Sequence, residues 1–506
     1  MRENRLCFPK GGICVSRRLS DIPTGSVERD AAAIQELLQY SDDLQIQDFG
    51  RDCEQVKLMF FDTLTDSQSI HEQVLQPILQ KPGAAIADCL PAASVSTVQT
   101  LSEATSYLLK GYVIVLLTGQ QDIVCIAAKS SFTRSVDEPV NEKVVRGAHD
   151  GFIENLNVNV HLVRKMIENR QLTVTYYTIG RETQTRVALL YMNNLANKQV
   201  VQEMEKRIQA IHADSILGTN FIEEYVEDTP YSPFPQLLST ERPDRVTANL
   251  MEGRVALLAS GAPTALIFPV TFFAFYQSPD DYNSRWFAGT FFRLIRLISF
   301  FIAISFPAIY IATVAFRFEI LPSDLIIAIK QSIDKVPYPP LVEAFIMEIT
   351  IELIREAGIR LPSPLGQTIG VIGGIVIGQA VVQASLVSNI MVIVVAITAI
   401  AAYVVPSNEM GTAVRLLRFG FMISAATLGL LGIVLSFTLL LIHLCALESF
   451  GTPYFAPLST GKWRNLKDTI VRFPMWKMSS RPVDATPQRN TQETISRGWQ
   501  PDDSRE

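Results

Sequence analysis

The chain has 506 residues, of which 48% are hydrophobic and 19% charged, and a formal net charge of −6. Its length allows two or three domains, and a mean hydropathy of +0.21 places part of it in lipid. The acidic balance gives no reason for a nucleic-acid partner. The six cysteines are scattered, without a CxxC pair or metal spacing, which reads as reduced structural thiols in a cytosolic compartment with no metal or cofactor.

Residues 1–28 mix Arg and Lys with short apolar runs. They lack the apolar core of a signal peptide, so a flexible N-terminal arm and a cytoplasmic N-terminal head are expected. Residues 29–140 and 141–230 read as two related α/β subdomains. In the first, Gly50-Arg51-Asp52 leads into an apolar strand at 56–62, then a helix at 64–78. In the second, Gly180-Arg181-Glu182 leads into a strand at 187–193, then a helix at 195–208. Each strand ends at Asp or Asn, and each helix carries apolar residues at helical spacing. A recurring pattern at nearly constant offset is the mark of a duplication. The first subdomain adds a helix at 96–109 and a hairpin of strands 112–118 and 122–128, joined at Gly119-Gln120-Gln121. The second adds a helix near 156–169.

A Pro-rich connector is expected at 231–253, and an all-α multi-span transmembrane domain at 254–450. Residues 255–279, 297–316, 361–408 and 419–447 contain no Asp, Glu, Lys or Arg. Each stretch reaches the roughly 20 residues that a helix needs to cross a bilayer. Residues 255–276 and 297–316 read as simple spans. Basic residues flank both ends, Arg242, Arg245 and Arg254 before and Lys462, Arg464 and Lys467 after. The positive-inside rule then puts both ends in the cytoplasm with an even number of spans, four being favoured and five or six left open. The pairs Arg293/Arg296 and Arg415/Arg418 fit no simple crossing; they are expected either to bind lipid headgroups or to pair with Glu residues. Residues 451–506 form a polar cytosolic tail, expected to be disordered towards its end.

Candidate sites lie in the membrane half. In a helix at 341–357, Glu348, Glu352 and Arg355 share one face. The plain reading is an amphipathic helix at the interface; the sharper one puts Glu348 and Glu352 at the mouth of a cation pathway. Gly366, Gly370, Gly374 and Gly378 recur every fourth residue, a stripe that lets backbones approach within or between subunits. A second stripe, Thr368, Ile372, Ile375 or Val376, Gln379 and Gln383, puts polar groups around an aliphatic middle. That pattern suits a pore gated by dewetting or, equally, packing in a bundle. The five histidines are dispersed and no catalytic motif occurs, so no enzyme is expected.

Specific phrases carry a resemblance. They are Thr133-Arg134-Ser135, Asp137-Glu138-Pro139, residues 142–147 (EKVVRG), 231–236 (YSPFPQ), Glu241-Arg242-Pro243-Asp244, 277–282 (QSPDDY), 336–340 (VPYPP), 347–358 (MEITIELIREAG), 361–370 (LPSPLGQTIG) and Gly378-Gln379-Ala380. With these the chain resembles the A subunits of the GerA family, spore germinant receptors of Bacillus, Clostridium and their relatives. Ala148 and His149 depart from the family's usual Pro and basic residue. The resemblance implies a subunit of the spore inner membrane that acts with a transporter-like B subunit binding the nutrient and a lipoprotein C subunit. It further implies a ring-shaped homo-oligomer in the bilayer forming a nutrient-gated cation channel. A non-conducting scaffold subunit, and the stage V sporulation AF homologue that amplifies ion release, are the alternatives.

Overall fold

The structure, a computed structural model, describes residues 21–51, 54–80, 95–129, 138–360, 374, 378–461, 468–478 and 480–492. Contacts divide the chain into two units. One holds residues 1–141, 149–222 and 239–267; the other holds 142–148, 223–238 and 268–506.

The first unit is built twice from one plan. The first copy runs α1 (Val27–Leu37), β1 (Leu44–Arg51), β2 (Glu54–Phe61), α2 (67–80), β3 (Val95–Val98), α3 (Leu101–Leu109), β4 (Tyr112–Leu117) and β5 (Ile123–Ala127). The second runs α4 (Leu156–Met166), β6 (Leu172–Ile179), β7 (Thr185–Met192), α5 (Lys198–Ala210), α6 (Thr219–Val226), β8 (Leu238–Thr240), α7 (Pro243–Glu252), β9 (Val255–Ala259) and β10 (Ala265–Phe268). The sheets are ordered β1-β2-β4-β5-β3 and β6-β7-β9-β10-β8. Position for position these are the same order, and a helix precedes the first strand of each. The duplication read from the sequence therefore extends over the whole of both copies.

That duplication corrects one expectation. Residues 255–276 do not form a helical span: they are β9, β10 and a 3-10 turn at Phe272–Tyr276. Every residue of β9 and of β10 is buried. A strand covered on both faces loses its alternation and reads as a continuous apolar run, as a membrane helix does. The distinguishing signal is Ser260-Gly261-Ala262-Pro263, which breaks the run where Gly119-Gln120-Gln121 breaks the first hairpin. Gly261 adopts φ +82°, a turn conformation that L side chains rarely take.

Two smaller expectations also shift. The helix expected at 96–109 starts only at Leu101, where the Thr100 side chain accepts the Glu103 N–H at 3.2 Å; the residues before it form β3 instead. The stretch 231–253 is not a plain connector, because it contains β8 and α7. Its Glu241-Arg242-Pro243-Asp244 phrase starts α7. Pro243 occupies the first turn, and buried Arg242 grips Asp244 at 2.7 and 3.0 Å.

Arg164, on α4, joins the two copies. Its guanidinium is 1% exposed and forks onto the fully buried Asp43, which follows α1. It also donates to Ser41 Oγ at 2.8 Å and lies 4.3 Å above the Phe61 ring. Ser41 Oγ in turn accepts the Val174 N–H of β6 at 2.9 Å, and Thr63 donates to Asp43 at 3.1 Å. A charge buried this deeply is tolerated because nearly every lone pair around it is used.

The second unit is helical. It comprises α8 (Pro279–Asn283), α9 (Trp286–Phe316), α10 (Ser323–Ile333), α11 (Pro340–Arg360), α12 (Asn389–Tyr403), α13 (Asn408–Leu428) and α14 (Leu430–Ala446). Among the described residues only α9 is long and apolar enough to cross a membrane; α12 and α14 are shorter apolar helices. At 1.5 Å per residue the 31 residues of α9 extend about 46 Å. α13 turns directly into α14 at Gly429, with φ +63° and ψ −141°. A Cβ at Gly432 would fall 2.0 Å from the Ser424 carbonyl oxygen, so the hairpin closes only because that position has no side chain.

Polarity in this unit is inverted relative to a soluble bundle. Glu343, Glu348, Arg293 and Arg418 are buried, whereas Leu431, Val434, Leu439 and Ile442 of α14 are each at least 60% exposed. On α11 the exposed stripe is Val342, Ile346, Ile349 and Leu353. The sequence allowed α11 to lie at an interface with its charges in water. Instead its apolar stripe faces out, and Glu343 and Glu348 face in.

Near the start of this unit, burial and the neighbouring charges of Glu409 and Glu227 push the Glu223 carboxyl up to about 9.

Two tests follow from these features. Arg164→Ala leaves Asp43 buried without its cation. Urea unfolding of a fragment ending after Phe268 should show a loss of about 3–5 kcal/mol, and Asp43→Asn, which leaves the guanidinium buried without its anion, a loss at least as large. For Glu223, the folded state holds a proton that the unfolded chain releases above its usual carboxylate range. Stability from this group is therefore full below about pH 4.5 and declines as pH rises towards 9. Glu223→Gln should flatten that decline in thermal melts of the detergent-solubilised protein between pH 5 and 9; a wild-type slope in the variant would refute the assignment.

Candidate functional site

Within the helical unit the chemistry is concentrated where α9, α11 and α13 meet. α9 carries Pro307 in its interior. Proline has no N–H, so the Ala303 carbonyl one turn earlier loses its helical donor. Arg418 of α13 supplies the replacement, donating from Nε to the Ala303 oxygen at 2.7 Å. The same guanidinium pairs through Nη1 with Glu348 of α11, both side chains being at most 2% exposed. One oxygen of Glu348 and one nitrogen of Arg418 find no partner among the described residues.

A second rung lies one turn away, where Arg415 Nε is 3.4 Å from Glu352 Oε1. Arg355, also on α11, pairs with the same Glu352. Of the two readings of the RxxR pair at 415 and 418, pairing with Glu residues is the one observed. The two candidate mouth residues, Glu348 and Glu352, are the partners.

The other RxxR pair is held elsewhere. Fully buried Asp281 accepts from Arg293 at 3.1 Å and Arg296 at 2.7 Å. Arg293 also reaches Asp468 at 2.9 Å, and Tyr282 donates to Asp468 at 2.7 Å. Arg472 donates to the Ser284 and Tyr282 carbonyls at 2.8 and 3.1 Å. The phrase at 277–282 is thus a clamp that fixes the start of α9 and a segment of the tail. Residues 468–472, ahead of the part of the tail expected to be disordered, are anchored by charge.

The phrase at 231–236 forms an apolar plug. Phe234 is 1% exposed and its ring meets those of Phe272, His443 and Tyr454. Ser232 Oγ lies 2.9 Å from His443 Nε2, and Tyr454 donates to the Pro235 carbonyl at 2.7 Å. His443 is accordingly a packed helix-end residue.

Of the two stripes, Thr368, Ile372, Ile375, Val376, Gly366 and Gly370 lie outside the described residues. Gly374 and Gly378 are described, and neither has a neighbour within 4 Å of where a Cβ would stand. Gln379 and Gln383 are exposed. At its two described positions an added Cβ would meet none of the described residues. No group of three or more His, Cys, Asp or Glu suited to a metal occurs among the described residues.

Sequence comparisons with known families and relatives agree on one assignment. The family described as "Bacillus/Clostridium GerA spore germination protein" matches residues 32–484. Spore germination protein B1 of Bacillus subtilis (strain 168) is 40% identical over 474 residues, covering 92% of this chain and 98% of that protein. Spore germination protein A1 of the same organism is 39% identical, covering 82% of this chain and 87% of that one. A crystal structure of the N-terminal domain of the A subunit of the Bacillus megaterium spore germinant receptor GerK3 is 27% identical. It covers 51% of this chain and 99% of that one, with a TM-score of 0.40. With the family pattern matched over nearly its whole length, this chain belongs to the GerA family of spore germination proteins.

Proposed function

We propose that the chain is the A subunit of a spore nutrient germinant receptor in the spore inner membrane, with its head and tail cytoplasmic. In this reading several copies form a ring whose helices make a nutrient-gated cation channel, working with a transporter-like B subunit and a lipoprotein C subunit. One observation carries the membrane part: the helical unit buries charge and exposes aliphatic side chains, as expected where lipid replaces water. The relatives, named as spore germination proteins, support the biological role. Gly374 and Gly378, which have room for a Cβ among the described residues, fit a stripe that meets a second copy. The channel assignment is decided by potassium efflux from liposomes holding the purified receptor complex. Efflux on adding a mixture of amino acids and sugars supports a channel; silence from wild type and variants alike favours a scaffold.

Three outcomes are expected. A reporter fused after residue 480 should read cytoplasmic, as an external reading would overturn the topology. Gly374→Leu should abolish the oligomer ladder in membrane cross-linking at normal protein abundance; an intact ladder would assign the stripe to packing within one subunit. A dry aliphatic ring opposes an ion by several kcal/mol, even after relaxation, in round terms. Ile372→Ala, Ile375→Ala or Val376→Ala should therefore make spores leak cations or germinate without nutrient, and Ile375→Ser more so. If all of these variants stay dormant and respond normally, those residues are not the gate.

A further inference from the structure

The helices of the second unit are not held equally. α9 packs along much of α12 and α13, whereas α11 meets α12, α9 and α13 at only a few positions each. On one side α11 shows the bundle its charges, and on the other it leaves its apolar stripe exposed. Two ion pairs, Glu348 to Arg418 and Glu352 to Arg415, attach α11 to α13 beside a ring contact between Phe345 and Phe419 at 5.3 Å. The order is antiparallel, because the acidic positions rise along the chain as the basic ones fall. α11 then leads, through residue 360, into the stretch that carries both stripes.

The inner rung has the properties of a switch. It is buried, so its strength is not diluted by solvent. Among the described residues it is also incompletely satisfied, with Glu348 Oε1 and Arg418 Nη2 unpartnered. A buried pair in that condition gains little over alternatives that offer water or a new partner. Arg418 has a second anchor in the Ala303 carbonyl freed by Pro307. That anchor keeps the guanidinium in place on α9 whether or not Glu348 stays with it. Release would therefore move α11 and free its carboxylates, while α9 and α13 remain packed.

We propose that Glu348–Arg418 and Glu352–Arg415 form a two-rung ionic latch that holds α11 in the resting position. Opening breaks the latch and delivers Glu348 and Glu352 to the cation path. This regulation rests on the channel reading above.

The test uses the full receptor complex in liposomes, read by potassium efflux without nutrient. Glu348→Gln and Arg418→Gln should each raise that leak by about 5- to 150-fold, the usual range for coupling between two states. The double variant should leak no more than the stronger single one, because both remove one interaction. The outer, less buried rung supplies variants less prone to misfolding: Glu352→Gln and Arg415→Gln should leak as well, by a smaller factor. Leak equal to wild type in all four singles, at normal abundance, overturns the latch, as does a double variant whose effect is the product of the singles. A separate measurement does not need flux. In the Glu352→Cys/Arg415→Cys chain, a short thiol-to-thiol cross-linker should join the two cysteines in the resting complex, and Glu348→Gln should slow that reaction. An unchanged rate overturns the latch even if the complex conducts. Normal latch cross-linking in a complex silent to every variant, Ile375→Ser included, would instead sink the channel reading and leave the contact standing.

Discussion

A guanidinium does not give up its proton inside a protein, so each buried arginine must be surrounded by acceptors. Arg164, Arg242, Arg293 and Arg418 are each at most 2% exposed. Each stands at a junction, and each fixes the elements around it. Arg164 ties α4 to the turn after α1 and to β6 through Ser41. Arg242 sets the start of α7 through Asp244. Arg293 gathers Asp281 and Asp468. Arg418 joins α9, α11 and α13. Hydrophobic burial supplies the bulk of the stabilisation, but it is not directional. The arginines specify which surfaces meet.

The Ala303–Pro307 step shows how a local defect becomes a tertiary contact. A proline inside a helix strips one carbonyl of its donor, which in an apolar surrounding is costly. The chain meets this by bringing in a donor from another helix. A single donor of the Arg418 fork suffices there, and the remainder of the fork is free to bind Glu348. Packing repair and a charge contact between helices thus share one side chain.

The duplicated α/β plan shows how far pattern reading reaches. In the first copy, the hairpin of β4 and β5 was legible because Gly119-Gln120-Gln121 separates two short runs. In the second copy, β9 and β10 are equally short, yet they adjoin Pro269 and the aromatic run at 272–276, and the whole reads as one apolar stretch. Aligning the two copies would have resolved it, since β9 and β10 take the positions of β4 and β5. β1 escaped the reading because Leu44–Arg51 sets few apolar residues among polar ones, whereas Leu172–Ile179 alternates apolar residues with threonines and is strand-like in sequence. They are recruited by pairing along β2 and β7 over their whole length.

By itself the sequence determined the α/β character of the head, its repeat, the apolar helical second half and the family. Those properties follow from the order of apolar and polar residues, which is local information. Only the tertiary structure decided which charged residues are partners. Arg418 and Glu348 are 70 positions apart, and Arg164 and Asp43 are 121 apart. No periodicity links such pairs, because the chain between them takes its path from the packing of every element it contains. For the same reason, residues 347–358 show a face of charge in sequence, while the fold alone decides that this face turns inward, onto arginines, and away from the surroundings.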